Sequence, residues 1–289
     1  MANAMSGNSS LDYRFDQRVV QQYDALRGHP PEVADAIGQA IAAQVGTGAK
    51  VLELGVGTGR IALPVAAAGC RVFGIDSSSH MLGALLRRMD DEGIENVHLA
   101  QADISALPFQ DAAFDAALAV HVLHLVADWK SVLSDLSRVL RPGATLVLGR
   151  DWIDPESFAG KIRNYFRRTV VEVGTDMLPP GASAAAPPSG GAAIVQHLMS
   201  LGARPVGQGE ITAAEWRPEL SPRQILDGIR SRDDAESWVL PDDVLDAVMH
   251  RLDAFAAAEW PDPEQALSVT RRFMLGVFRF GFSEETSQR

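Results

Sequence analysis

Residues 51–60 (VLELGVGTGR) limit what this chain can fold into more than any other stretch: a short apolar run carrying one acid, Glu53, breaks into three glycines, Gly55, Gly57 and Gly59. The apolar run reads as a buried strand. Glycine reaches positive φ without strain and, lacking a side chain, leaves room for a ligand against the backbone. A helix is expected over 60–68, closed by Gly69, and its free N–H groups would suit an electron-rich ligand group. The same strand-and-helix unit then recurs. Residues 70–75 (CRVFGI) form an apolar run ending at Asp76. Leu82, Leu85, Leu86 and Met89 mark a helical face, 97–100 and 116–120 are further strands, and 129–140 is a helix. Arg141, Pro142 and Gly143 then turn the chain into a strand over 145–148. Such alternation demands a parallel sheet with helices on both faces.

The glycine pattern also discriminates between cofactors. In the dinucleotide fingerprint the third glycine packs helix against strand beneath a pyrophosphate. Here it comes one place early, and Arg60 takes the last position. A pyrophosphate gains nothing from Glu53, whereas a cationic ligand does. Together with its acid, the turn resembles motif I of the S-adenosylmethionine-dependent methyltransferases with a Rossmann-like fold. In that family the glycine loop cradles the amino-acid end of the cofactor, and the acid supports the loop and the cofactor's ammonium. Asp76 stands about twenty residues past the first glycine, where a carboxylate grips a ribose diol, with Ser77 beside it. That spacing alone suits NAD equally well. The resemblance further implies that Met81 packs on adenine, although core filling explains Met81 too, and that Asp103 meets the exocyclic amine beside Ile104. Leu107-Pro108-Phe109 and Phe114-Asp115-Ala116 follow as that family has them, and the likeness extends over roughly residues 45–150.

The resemblance implies an α/β fold, a seven-stranded, mostly parallel, doubly wound sheet closed by an antiparallel hairpin; the helices read between the hairpin's strands add a helical cap or insertion, a departure from the smallest family members. Three regions are expected. Residues 1–30 form an N-terminal segment that covers the cofactor, with a helical preface over 13–26; 31–150 form the cofactor core; 151–289 complete the sheet and supply the cap. Pro31 opens a helix whose face holds Val33, Ile37, Ile41 and Val45. Residues 151–173 read as helical, and 176–191 (DMLPPGASAAAPPSGG) as a loop that acts as a lid. Residues 192–201 resume a helix. Ser221 caps a helix with Pro222 at its first position, and 241–258 form a long one. The closing hairpin is assigned to 205–216 and 271–282.

Charge and composition weigh against several classes. A formal net charge of −11 argues against a polyanionic partner, and the basic run around Arg163, Arg167 and Arg168 reads as a solvated helix face. No apolar run approaches a membrane span, and nothing suggests export, so a cytoplasmic protein is expected. The single cysteine, Cys70, lies in a strand and reads as a buried thiol. No metal-ligand spacing occurs.

Methyl transfer from a sulfonium is an in-line displacement needing alignment and dryness, and a base only when the acceptor is protonated. His121 and His124 follow the fourth strand at the sheet's carboxyl edge and are the candidate bases; His121 is also a candidate cofactor contact. Tyr23 is the residue that would close over the methionine end. The four positions 119–122 read AVHV, not the Asn/Asp-Pro-Pro-aromatic motif of amino-methylating DNA and glutamine methyltransferases. Three classes stay open: a methyltransferase acting on a small molecule, one acting on protein or RNA, and a non-methylating Rossmann-like protein that binds NAD or serves as a regulator.

Overall fold

The structure is a computed structural model that describes residues 28–177, 191–232, 235–238 and 240–281. Tyr23, the helical preface, and residues 178–190 of the lid loop lie outside the described residues. The chain divides into two compact units that part at Gly149 and Arg150, and each has its own core.

The first unit opens with α1 (Pro31–Val45), which carries Pro31 at its first position and buries Val33, Ile37 and Ile41. β1 (Lys50–Leu54) follows, then α2 (Ala62–Ala67), β2 (Arg71–Asp76), α3 (Ser79–Glu92), β3 (Val97–Gln101) and β4 (Phe114–Val120). A single 3-10 turn (Leu123–Leu125) leads to α4 (Trp129–Val139) and β5 (Leu140–Ile153). Gly38 is required where α1 meets α2, since a Cβ there would lie 2.3 Å from the Pro64 carbonyl oxygen. Later in the chain α6 (Gly191–Ser200), after the second unit's α5 (Phe158–Met177), and β6 (Arg204–Pro205) return to this unit.

β1 pairs in parallel with β2 on one side and β4 on the other; β2 pairs with β3, and β4 with β5. The full order is β3-β2-β1-β4-β5-β10-β6, with β10 (Arg271–Arg279) antiparallel to β6. The chain winds outward from β1 to β3 and then recrosses to β4. The strand order therefore reverses between β1 and β4, and in open α/β sheets a ligand crevice forms outside the carboxyl ends at that point. The core on one side includes Leu52, Leu54, Ile75, Val132, Leu133 and Leu136. Cys70 is buried, its Sγ 3.7 Å from the Gly46 carbonyl, and burial pushes its thiol pKa up.

Three expected boundaries are corrected. The strand assigned to 205–216 is split into β6 and β7 (Ile211–Trp216), because Gly207 and Gly209 turn the chain at φ +79° and +96°. With β7 pairing β10 off the main path, the sheet has eight strands. β5 begins at Leu140, where Leu140 pairs with Phe114 across a register shift, and runs through the expected turn. Its far end, residues 151–153, is strand where a helix is expected. Pro155 and the Asp154 side chain, which accepts the Glu156 N–H at 3.0 Å, form the break before α5 begins at Phe158.

The second unit is mainly helical, with α5, α7 (Pro222–Arg230), the short α8 (Ala235–Trp238) and α9 (Asp242–Glu259), plus the antiparallel pair β8 (Glu219–Leu220) and β9 (Leu267–Ser268). Ser221 caps α7 as expected, in a reciprocal box with Gln224. α9 buries Leu245, Val248, Met249 and Leu252 against Phe158, Ile162 and Phe166 of α5, and the Tyr165 and Phe255 rings stack at 4.0 Å. These helices are the insertion expected from the helices read between the two closing strands. No described helix is long and apolar enough to cross a membrane.

Candidate functional site

At the carboxyl edge of the first unit's sheet, β1 ends in the glycine turn. Gly55, Gly57 and Gly59 all have positive φ, +66°, +55° and +85°. Their needs differ beyond that. A Cβ at Gly55 would meet Val122 Cγ2 at 2.7 Å, and one at Gly59 would meet Leu85 Cδ1 at 2.4 Å, so these two close the turn against β4's exit and against α3. Nothing lies within 4 Å of a Cβ at Gly57. That glycine alone leaves its backbone open for a ligand. α2 starts only at Ala62 and is six residues long, so the open backbone belongs to the turn and not to a helix start as expected. Gly55→Ala combines left-handed strain with the Val122 overlap and should lower unfolding stability by about 1–3 kcal/mol in denaturant titration.

Glu53 is 3% exposed, and its Oε2 has no hydrogen-bond partner among the described residues. Its carboxyl is pushed up to about 8, chiefly by burial, with the Arg60 charge opposing the rise and Asp76 adding to it. A buried carboxyl with an unused oxygen is costly unless something arrives to meet it. Arg60, whose charge faces Glu53, lies with Nη1 3.3 Å from His29 Nε2.

Asp76 ends β2 and reaches both neighbouring loops. Its Oδ2 accepts the Gly57 N–H at 2.9 Å and its Oδ1 accepts the Ser78 N–H at 2.8 Å. Burial raises its pKa, and these backbone donors with Ser77 pull it back. Ser78 caps α3 by accepting the Met81 N–H. A serine at the start of an apolar helical face is the sequence signal for this cap. Ser77 is exposed, and Met81 is buried at 2% exposure among the core residues of α3.

After β3, Asp103 is exposed and its Oδ1 accepts the Ser105 N–H at 2.8 Å, while Ile104 is buried. After β4, His121 has φ +49°, a left-handed conformation that costs energy for a side chain of this kind and collects at functional sites. His124 sits exposed on the 3-10 turn, its ring 6.4 Å from that of His121 and nearly perpendicular to it. The topology thus brings Glu53, the glycine turn, Asp76, Asp103 and His121 to the ends of adjacent strands. Tyr23 lies outside the described residues. Among the described residues no group of three His, Cys, Asp or Glu side chains converges as a metal site would require.

An open glycine turn beside a buried carboxyl with one unmet oxygen, and a carboxylate at the end of the next strand, fits S-adenosylmethionine, which offers an ammonium and a ribose diol. The comparisons agree. Residues 52–148 match the methyltransferase-domain family. Demethylmenaquinone methyltransferase of Thermus thermophilus is 37% identical over 128 residues, 43% of this chain and 58% of that protein. The chain spans about half the length of the curated relatives it matches. In fold it is similar to the YcgJ protein of Bacillus subtilis (TM-score 0.56, 16% identity, 86% of this chain and 99% of that one). It is also similar in fold to the [4+2]-cyclase SpnF (TM-score 0.53, 17% identity, 89% and 85%). Residues 52–148 are thus a methyltransferase domain, and the glycine turn and strand order around them are those of the class I, Rossmann-like S-adenosylmethionine-dependent methyltransferases.

Proposed function

We propose that this protein moves a methyl group from S-adenosylmethionine to a small-molecule acceptor by in-line displacement. The observation that carries the reading is Glu53 Oε2, buried without a partner at the mouth of a turn whose central glycine is open. Glu53 meets the cofactor's ammonium. Gly55, Gly57 and Gly59 shape the cradle, Asp76 with Ser77 holds the ribose, and Asp103, Ile104 and Met81 bracket adenine. His121 borders the methionine end, and Tyr23 closes over it. When bound, the cofactor supplies a methyl group on a positively charged sulfur. The chain's own work is to align acceptor and methyl and to exclude water. His121 takes the acceptor's proton where one must leave, with His124 as the second candidate.

Acidic net charge favours a small acceptor over RNA. The Thermus relative is named for demethylmenaquinone, which puts quinones first in a panel with phenols, amines and carboxylic acids. Turnover of labelled methyl donor across that panel tests the reading; cofactor bound without any methyl transfer would overturn it. The second reading, a cofactor-binding protein of another activity, has one observation in its favour: a neighbour in fold is a [4+2]-cyclase. Calorimetry with S-adenosylmethionine against NAD settles the cofactor.

Gly57 gives a sharper test. Gly57→Ala meets no protein atom but puts a methyl group into the cradle. Its affinity for S-adenosylhomocysteine should fall by at least about tenfold, with a stability loss of only about 1–2 kcal/mol from the left-handed backbone. Unchanged affinity would make the glycine turn an ordinary one.

A further inference from the structure

Residues 102–113 join β3 to β4 without helix or strand, so their backbone groups lack a ladder to satisfy them. Arg138, in the last turn of α4, supplies donors to this loop. Its Nη1 donates to the Phe109 carbonyl and to Asp111 Oδ1, both at 2.8 Å. Its Nη2 donates to the Leu107 carbonyl at 3.2 Å, and its Nε to Asp135 Oδ1 at 2.7 Å. Asp135, one turn earlier on the same helix, accepts the Leu107 N–H at 2.8 Å through Oδ2. Leu107 is therefore held at both its N–H and its carbonyl by one i, i+3 pair. The mount is rigid, since Val132, Leu133, Leu136 and Val139 of α4 are fully buried.

Asp103 opens this loop. Its carbonyl accepts the Ala106 N–H at 3.1 Å immediately before Leu107, and Ile104 and Leu107 pack into the same core cluster as α4. Where Leu107 is held decides where the Asp103 carboxylate stands. Only a planar five-donor fork can serve two carbonyls and two carboxylates at once; an ammonium reaches fewer.

We propose that Asp135 and Arg138 are positioning residues that set the base selectivity of the cofactor site, by fixing the loop that carries Asp103 to α4. The proposal rests on Asp103 meeting the exocyclic amine of adenine. The experiment is calorimetry of the full chain with S-adenosylhomocysteine and with S-inosylhomocysteine, in which a carbonyl replaces that amine. The unaltered protein should prefer the amine by about tenfold or more, and Asp103→Ala should abolish the preference. Arg138→Met should shrink it to within about threefold, and Arg138→Lys, which keeps the charge and loses the fork, should fail to restore it. A residue that merely stabilised the fold would lower the melting temperature and weaken both ligands equally, leaving their ratio intact. That result, in Arg138→Met or in Arg138→Lys if the former does not fold, overturns the positioning role. A preference unaffected by Asp103→Ala instead overturns the assignment of Asp103, and the proposal with it.

Discussion

Glu53→Gln is expected to make the protein more stable than its parent in alkaline buffer and, at the same time, a poorer binder of S-adenosylmethionine. Glu53 has its folded-state pKa raised from 4.5 to about 8, chiefly by burial. The native state therefore holds a proton that the unfolded chain gives up, and stability falls as pH rises. The favourable contribution is complete below about 4.5, declines through the interval, and is gone above about 8. Over that window the parent should lose about 5 kcal/mol relative to the neutral amide, since each unit of pKa is about 1.4 kcal/mol. Denaturant titrations of both proteins at pH 5 and pH 9 measure it. Parallel curves at the two pH values would show that Glu53 ionises normally in the fold. Binding has the opposite sign. A cationic ligand favours the ionised carboxylate, so affinity should rise about tenfold per pH unit between pH 5.5 and 7 in the parent and stay flat in Glu53→Gln. A similar slope in both proteins would remove Glu53 from the ammonium.

Asp76 should show two losses from one carboxylate. Its oxygens already accept the Gly57 and Ser78 N–H groups, bracing the glycine turn and the start of α3. Asp76→Ala leaves those donors unmet, at about 1–3 kcal/mol of stability. If Asp76 holds the ribose as proposed, the variant also loses a charge-assisted grip worth about 1.5–3 kcal/mol, or roughly 10- to 150-fold in affinity for S-adenosylhomocysteine. A cofactor analogue lacking the 2′-hydroxyl separates the two. The parent should discriminate against it, and Asp76→Ala should bind both forms alike. If discrimination survives in the variant while only stability falls, Asp76 is a brace for the turn and the ribose is held elsewhere.

Much of the fold was legible from local signals. The apolar runs before Gly55 and Asp76, the helical face through Leu82 and Leu85, and the Ser221–Pro222 start each declare an element through residues within a few positions of one another. The errors fell where a local signal was ambiguous. A run broken by Gly207 and Gly209 looked like one strand and is two, and residues 151–153 were given to the helix that Pro155 separates from them. The candidate site could be proposed as a list of residues because its motifs stand at fixed distances from strand ends. What each residue does there depends on neighbours far along the chain. Gly55 and Gly57 are alike in sequence, yet Val122 fills the space beside one and nothing fills the space beside the other. Glu53 is an ordinary glutamate until β2 and β4 flank β1 and exclude water from it, which is what raises its pKa. The sequence by itself determined the alternating α/β core, the glycine turn and the acids at the strand ends, because periodicity and spacing are local properties. Only the tertiary structure decided which acid is buried unpartnered, which glycine is open and which helix holds the loop of Asp103, because solvent exclusion and converging hydrogen bonds arise only when distant segments meet.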